Sequence, residues 1–218
     1  MADPISLPAV GWTDRSFDPM RPFAADRMEG RRTETQYVGT PWWTMSLTSE
    51  PLYERGRGIM DAFSMSAGDG GECFLAHDVW RPRPIRMDQG VPLSGTKAGG
   101  GAFDGTATLQ SITNTRTIVV SGLPAGFLLS AGDYVELRMS ALKRSLHRIL
   151  ADATASGSGV VTLSIRYGLD TQHFTTAAVV NFEKASCVMQ MDQGSYKAPS
   201  NKSNRQASFS ASEVFYAA

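Results

Sequence analysis

The sequence predicts a mainly β protein with one α-helix packed on a sheet and a small β-barrel or sandwich lobe. Gly 21 and Pro 11 among 218 residues, set between Thr, Ser and Val, favour short strands joined by turns over long helices. A single amphipathic helical pattern stands out near residues 50–66. Between Thr106 and Arg166, five strand-like runs follow at intervals of about a dozen residues, the spacing of a small all-β lobe.

The opening stretch, MADPISLPAVGWTDRSFDPMRPFAADRMEGRRTETQ, lacks a basic start followed by an apolar core, so the chain reads as a soluble protein made in a cytoplasm. No apolar run approaches the roughly 20 residues that cross a bilayer. Residues 1–35 read as an extended N-terminal arm. Its Arg21, Arg27, Arg31 and Arg32 are interleaved with Asp14, Asp18, Asp26 and Glu29. That mixture suits polar contacts between subunits and suits DNA poorly, the plain alternative being a solvated tail.

From Gln36 to Thr48 the chain alternates, with Trp43, Met45 and Leu47 on one face and Trp42, Thr44 and Ser46 on the other. The adjacent tryptophans must therefore point to opposite sides. Trp43 is expected in the core, whereas Trp42 shares a face with hydroxyl residues and needs a second layer or a partner subunit to cover it. The helix follows, with Ser49 expected as its cap and Pro51 in its first turn, where a missing N–H is harmless. Leu52, Gly56, Ile59, Met60 and Phe63 form its apolar face. Gly56 and Gly58 each cost about 1 kcal/mol relative to alanine, so the helix must rely on packing against a sheet. The AGDGG turn, Ala67 to Gly71, ends it.

ECFLAHDVW then reads as a buried strand, broken by the prolines of RPRPIRMDQG. GTKAGGGAFDGT, Gly95 to Thr106, reads as a mobile loop or linker. The five runs of the next lobe are TATLQSI, TIVVSG, DYVELRM, SLHRILAD and GVVTLSIR. Strand patterning resumes in ASCVMQMD and in ASFSASEVFYA, and the polar QGSYKAPSNKSNRQ between them reads as a hairpin tip or a mobile arm.

Signals for chemistry are sparse. Lys+Arg and Asp+Glu both number 21, so no net field draws nucleic acid or an anionic membrane. Cys73 and Cys187 show no paired spacing and read as buried thiols. His77, His147 and His173 have no second histidine at ligand spacing, and Cys73 with His77 reads as a pair of core neighbours rather than half a metal site. In GVPLSGTK, Lys97 follows Thr96, the reverse of a phosphate loop, and no nucleophile elbow occurs. Asp133, in SAGDYVEL, reads as a turn residue that caps backbone N–H groups. No catalytic residue, cofactor or metal is expected.

Over about residues 35–215 the order of PWWTMSL, EPLYERGRGIMDAF, CFLAHD, a proline-containing junction, LLSAGDYVEL, LHRILADATASGSGVVTLSIR and ASFSASEVFYA resembles the distal tail proteins of siphophage-like tails, a group of tailed-phage minor tail proteins. The resemblance implies a tube-like β-sandwich with one packed helix, six copies of which form a ring beneath the tail tube. It also implies a second β lobe inserted into or appended to that ring domain. On this reading residues 36–90 and 167–218 make the ring domain and 91–166 the second lobe. The implied partners are further copies of the chain in a hexameric ring, a tail tube protein and hub or baseplate proteins, with neither nucleic-acid binding nor membrane insertion. The implied location is the tail tip of a virion assembled in the host cytoplasm. Trp42, Trp12, Trp80, Arg31 and Arg32 are the candidate subunit or lobe interface. The glycine-rich segment Gly95 to Gly105 and the first 35 residues have no counterpart in that pattern. Two other function classes stand beside this one. In a carbohydrate-binding module of a host-recognition apparatus, Trp12, Trp42 or Trp80 would stack on sugars. A cell-wall hydrolase would have to use Asp133 or His147.

Overall fold

The computed structural model describes residues 4–199 and 205–215, the side chain of Asp69 excepted. The protein is mainly β, with 43% strand against 7% helix, as the dense turn residues predict. The first strands are β1 (Ile5–Ser6), β2 (Trp12–Met20), β3 (Phe23–Arg27), β4 (Thr33–Tyr37) and β5 (Trp42–Ser49), followed by α1 (Glu54–Ser66) and β6 (Cys73–His77). Next come β7 (Gly95–Thr96), β8 (Ala102–Phe103), β9 (Thr106–Asn114), β10 (Thr117–Ser121), β11 (Leu128–Leu129) and β12 (Tyr134–Arg138). The last are β13 (Arg144–Arg148), β14 (Ala153–Thr154), β15 (Val161–Ser164), β16 (Val179–Asn181), β17 (Ser186–Met191) and β18 (Ser208–Glu213).

The chain divides into two compact units, Ile5–Phe74 with Met189–Val214, and Leu75–Val188 with short terminal pieces. The boundaries expected near 91 and 166 therefore lie elsewhere, for a physical reason. Residues 75–90 belong to the second unit because Asp78 and Arg81 hydrogen-bond Tyr134 and the Ile85 N–H donates to Asp133. Residues after 166 supply Leu169, Phe174 and Phe182 to that unit's core.

A six-stranded sheet runs in the order β1-β6-β17-β18-β5-β2. Within the first unit, Trp43, Met45 and Leu47 of β5 are buried, and the Trp43 ring stacks on Phe17 of β2 at 5.0 Å. Helix α1 lays Met60 and Phe63 on this core, with the Phe63 ring 5.2 Å from Phe74 and 5.5 Å from Phe209. Burial of such side chains contributes about 2 kcal/mol each, which offsets the two helix glycines.

Two local expectations are corrected. Ser49 does not cap the helix: it is the buried last residue of β5, its hydroxyl donating to the Glu50 carbonyl and accepting the Ala207 N–H. The helix instead starts after Tyr53, which is extended and makes no side-chain cap, so Pro51 lies outside it. Nor is the described part of the expected arm 1–35 extended away from the fold, because β2 pairs along its length with β5, from Trp12↔Ser49 to Met20↔Trp42, and β3 pairs with β4.

In the second unit the order is β13-β12-β16-β9-β10-β15. Its ends meet in the Ile149↔Ile165 bridge, where the Leu150 N–H donates to the Ser164 carbonyl, so the sheet curls into a small barrel. Leu109, Ile118, Val120, Val135, Leu163 and Val180 fill it. The glycine-rich segment is not a linker: β7 pairs with β8, and Gly100 and Gly101 take positive φ in the turn between them, where a Cβ would be strained. Of the polar stretch Gln193 to Gln206, Lys197 bridges to Ser208, and 200–204 lie outside the described residues.

Candidate interaction surface

Strands β2 and β3 follow one another, as do β4 and β5, so Trp12 to Ser49 makes one long two-stranded ribbon. Pro22 and Pro41 interrupt it, and prolines cannot donate to a ladder. The Val38 N–H still donates to the Pro22 carbonyl at 2.9 Å, which keeps the strands together across the break. Below the break the ribbon is part of the sheet. Beyond it, every side chain of β3 and β4 is exposed on both faces. At about 3.3 Å per residue, the tip reaches about 25 Å from Pro22 to the turn at Gly30.

Register gives the tip two different faces. Phe23↔Tyr37, Ala25↔Thr35 and Arg27↔Thr33 share one, and Ala24↔Gln36 and Asp26↔Glu34 share the other. The first face is aromatic and cationic: Phe23 and Tyr37 are 61% and 51% exposed, their rings meet edge-on at 6.4 Å, and the Arg21 guanidinium lies 4.1 Å above Tyr37. Arg21 Nε is covered and has no hydrogen-bond partner among the described residues. The second face sets two carboxylates directly opposite each other, an arrangement that destabilises an isolated pair of strands. An open groove of about 590 Å³ runs along the tip, lined by Asp26, Arg32, Glu34 and Gln36 and also by Ala25, Thr33 and Thr35 of the first face. Beside the break, exposed Met20 and Val38 adjoin half-buried Trp42, which pairs with Met20.

The structure places the expected interface residues unevenly. Trp42 sits at the foot of the tip and Arg31 and Arg32 in its turn, where Arg31 takes φ 63° and the backbone closes through Met28. Trp12 lies at the far end of the ribbon, half-buried with its ring edge-on to Phe209 at 6.1 Å. It is roughly 25 Å along the strand from Met20, Trp42's partner, so the two tryptophans share no stacking platform. Trp80 belongs to the barrel unit and is 53% exposed. The sequence reading named Asp26 among the mixed charges suited to subunit contacts but missed Met20, Phe23, Glu34 and Tyr37, although the alternation of FAADR and TETQY around a glycine turn carried the signal.

The chemistry-bearing side chains elsewhere are tied into structural networks. Buried Glu136 accepts from Arg144 at 2.7 Å, from Asn181 at 2.9 Å and from the Ser186 N–H at 3.0 Å. Asp78 accepts the Tyr134 hydroxyl at 2.9 Å, and burial pushes that phenol up to about 12. Asp133 caps the Ile85 and Ser130 N–H groups as the turn reading expects, and burial raises its pKa. His147 shares a hydrogen bond of 2.8 Å with Ser145, and burial lowers its pKa to about 4, so it is neutral at pH 7. His77 is lowered to about 4 by burial first and Lys184 second. His173 is exposed beside Asp170 at 2.6 Å. Cys73 and His77 lie on the half-buried side of β6, opposite the core residues Phe74 and Ala76, so neither is the core neighbour expected; of the two thiols only Cys187 is buried. Among the described residues no group of three His, Cys, Asp or Glu side chains is arranged to hold a metal.

No protein-family model matches the chain, and no curated protein matches it.

Proposed function

We propose that the chain is a structural, ring-forming component of a phage tail tip, joining the tail tube to the hub or baseplate. The observation that supports self-assembly is the ribbon tip, with every β3 and β4 side chain exposed and an aromatic patch at its foot. A two-stranded hairpin in water on both faces is marginally stable, so such a tip is suited to being covered by another molecule. A heterologous contact that closes by rotation covers every copy's tip and leaves no open end from which fibres grow. Placement at a tail tip follows from the resemblance to distal tail proteins, which also suggests six copies.

The test is the mass of the purified chain in solution, by sedimentation velocity over a range of concentrations. A single closed species of six copies supports the reading. A monomer at every concentration, or an open-ended size distribution, overturns the ring.

A further inference from the structure

The ribbon tip carries an unusual density of unanswered charge. None of Arg21, Asp26, Arg27, Glu29, Arg31, Arg32 and Glu34 makes an ion pair or a side-chain hydrogen bond among the described residues. In the barrel some charges are answered: Arg83 is paired with Glu183 and Asp88, and Arg144 with Glu136. On the tip the charges are also unevenly placed. Asp26 and Glu34 stand opposite each other along the groove, which Arg32 also lines, while Arg27 and the aromatic pair lie on the reverse face with Arg21 stacked at its foot. Each face thus presents what the other needs. The two adjacent carboxylates outnumber the one guanidinium that lines their groove, and the two guanidiniums of the reverse face lack a carboxylate. A surface with both signs in near balance is a poor match for nucleic acid or an anionic membrane, both of which select one sign.

We infer that the acidic groove of one copy's ribbon tip, Asp26 and Glu34, receives the Arg21 and Arg27 face of a second copy's tip. The contact is front to back, and so heterologous, and it buries Phe23 and Tyr37 between copies. It rests on the reading that the chain self-assembles and adds which surfaces meet.

The experiment is a charge-reversal cycle on the full chain. Asp26→Arg with Glu34→Arg reverses one face, and Arg21→Glu with Arg27→Glu reverses the other. Sedimentation velocity reads assembly, and thermal melting of the unassembled fraction confirms that the substitutions leave the fold intact. Each reversal alone is expected to weaken assembly by about tenfold or more, because it sets like charges against each other. An equimolar mixture of the two reversed proteins restores opposite charges at every junction of an alternating ring, and the fourfold variant restores them with one protein, because both faces are then exchanged together. Its recovery to within a few fold of the parent supports the inference. Reversals that assemble like the parent, or a fourfold variant no better than either pair, overturn the inference and leave the ring standing. A parent that never assembles overturns both.

Discussion

The two adjacent tryptophans give the sharpest contrast between folding and assembly. Trp43 is 5% exposed and stacked at 5.0 Å on Phe17, whereas Trp42 is half-buried on the opposite side of β5 beside exposed Met20. A buried tryptophan removes about 200 Å² from water, worth about 5 kcal/mol at 25 cal/mol per Å² as an upper bound. Measured truncations of large aromatics to alanine cluster at about 3–5 kcal/mol. Trp43→Ala is therefore expected to destabilise its unit by about 4 kcal/mol, and Trp42→Ala by about 1 kcal/mol, with its main effect on assembly. The assay is urea unfolding at a concentration low enough to keep the chain unassembled, since association would otherwise add to apparent stability. Hydrogen exchange over β2 and β5 assigns the loss to that unit. A Trp43→Ala loss below about 1 kcal/mol, or a Trp42→Ala loss that exceeds it, would refute the division between core and contact.

Other outcomes follow from the buried polar groups and one tight turn. Glu136→Ala strands Arg144, whose side chain is 8% exposed, and is expected to cost the barrel about 3–5 kcal/mol in urea unfolding. The Glu213 carboxyl, raised to about 7 by burial against the opposing Trp43 N–H bond, holds a proton that the unfolded chain releases near pH 4.5. Its contribution is thus fully present below about pH 4.5 and is lost as the pH rises to about 7, and Glu213→Gln should flatten the stability of the first unit over that range. His147 has the opposite sign: lowered to about 4, it contributes stability present above about pH 6.5 that is lost as the pH falls toward 4. His147→Gln should weaken the acid sensitivity of the barrel without abolishing it, because His77 is lowered in the same way. Gly159→Ala drives a Cβ into the Leu123 carbonyl oxygen at φ 72°, and a barrel melting temperature unchanged by it would contradict the turn geometry.

Much of this architecture is legible in the sequence because alternation and turn residues are local signals. TATLQSI, TIVVSG, DYVELRM, SLHRILAD and GVVTLSIR each overlap a barrel strand, and Trp43, Met45 and Leu47 are buried as their period demands. Ser49 misled because its position before a helical pattern has the composition of a cap, while a long-range partner, Ala207, claimed its hydroxyl for the sheet. The first 35 residues read as an arm because charges interrupt their apolar pattern. Those charges sit on an edge strand and on a ribbon exposed on both faces, where no buried side enforces alternation. The unit boundaries were hidden for a related reason: prolines at 82 and 84 look like a linker, yet the neighbouring Asp78, Arg81 and Ile85 are bound to barrel residues far along the chain. Trp42 was legible as a contact candidate, but its companions Phe23 and Tyr37 emerged only from strand register.

The proposed role, a structural part of a tail tip, is open to a direct test by immunogold electron microscopy on particles from the culture that produces the chain, with antibody raised against the purified protein. Label confined to the tip end of a tail is expected, on intact particles or after mild disruption of the tip. Well-preserved particles without label under both conditions, with all of the antigen free in solution, would contradict it.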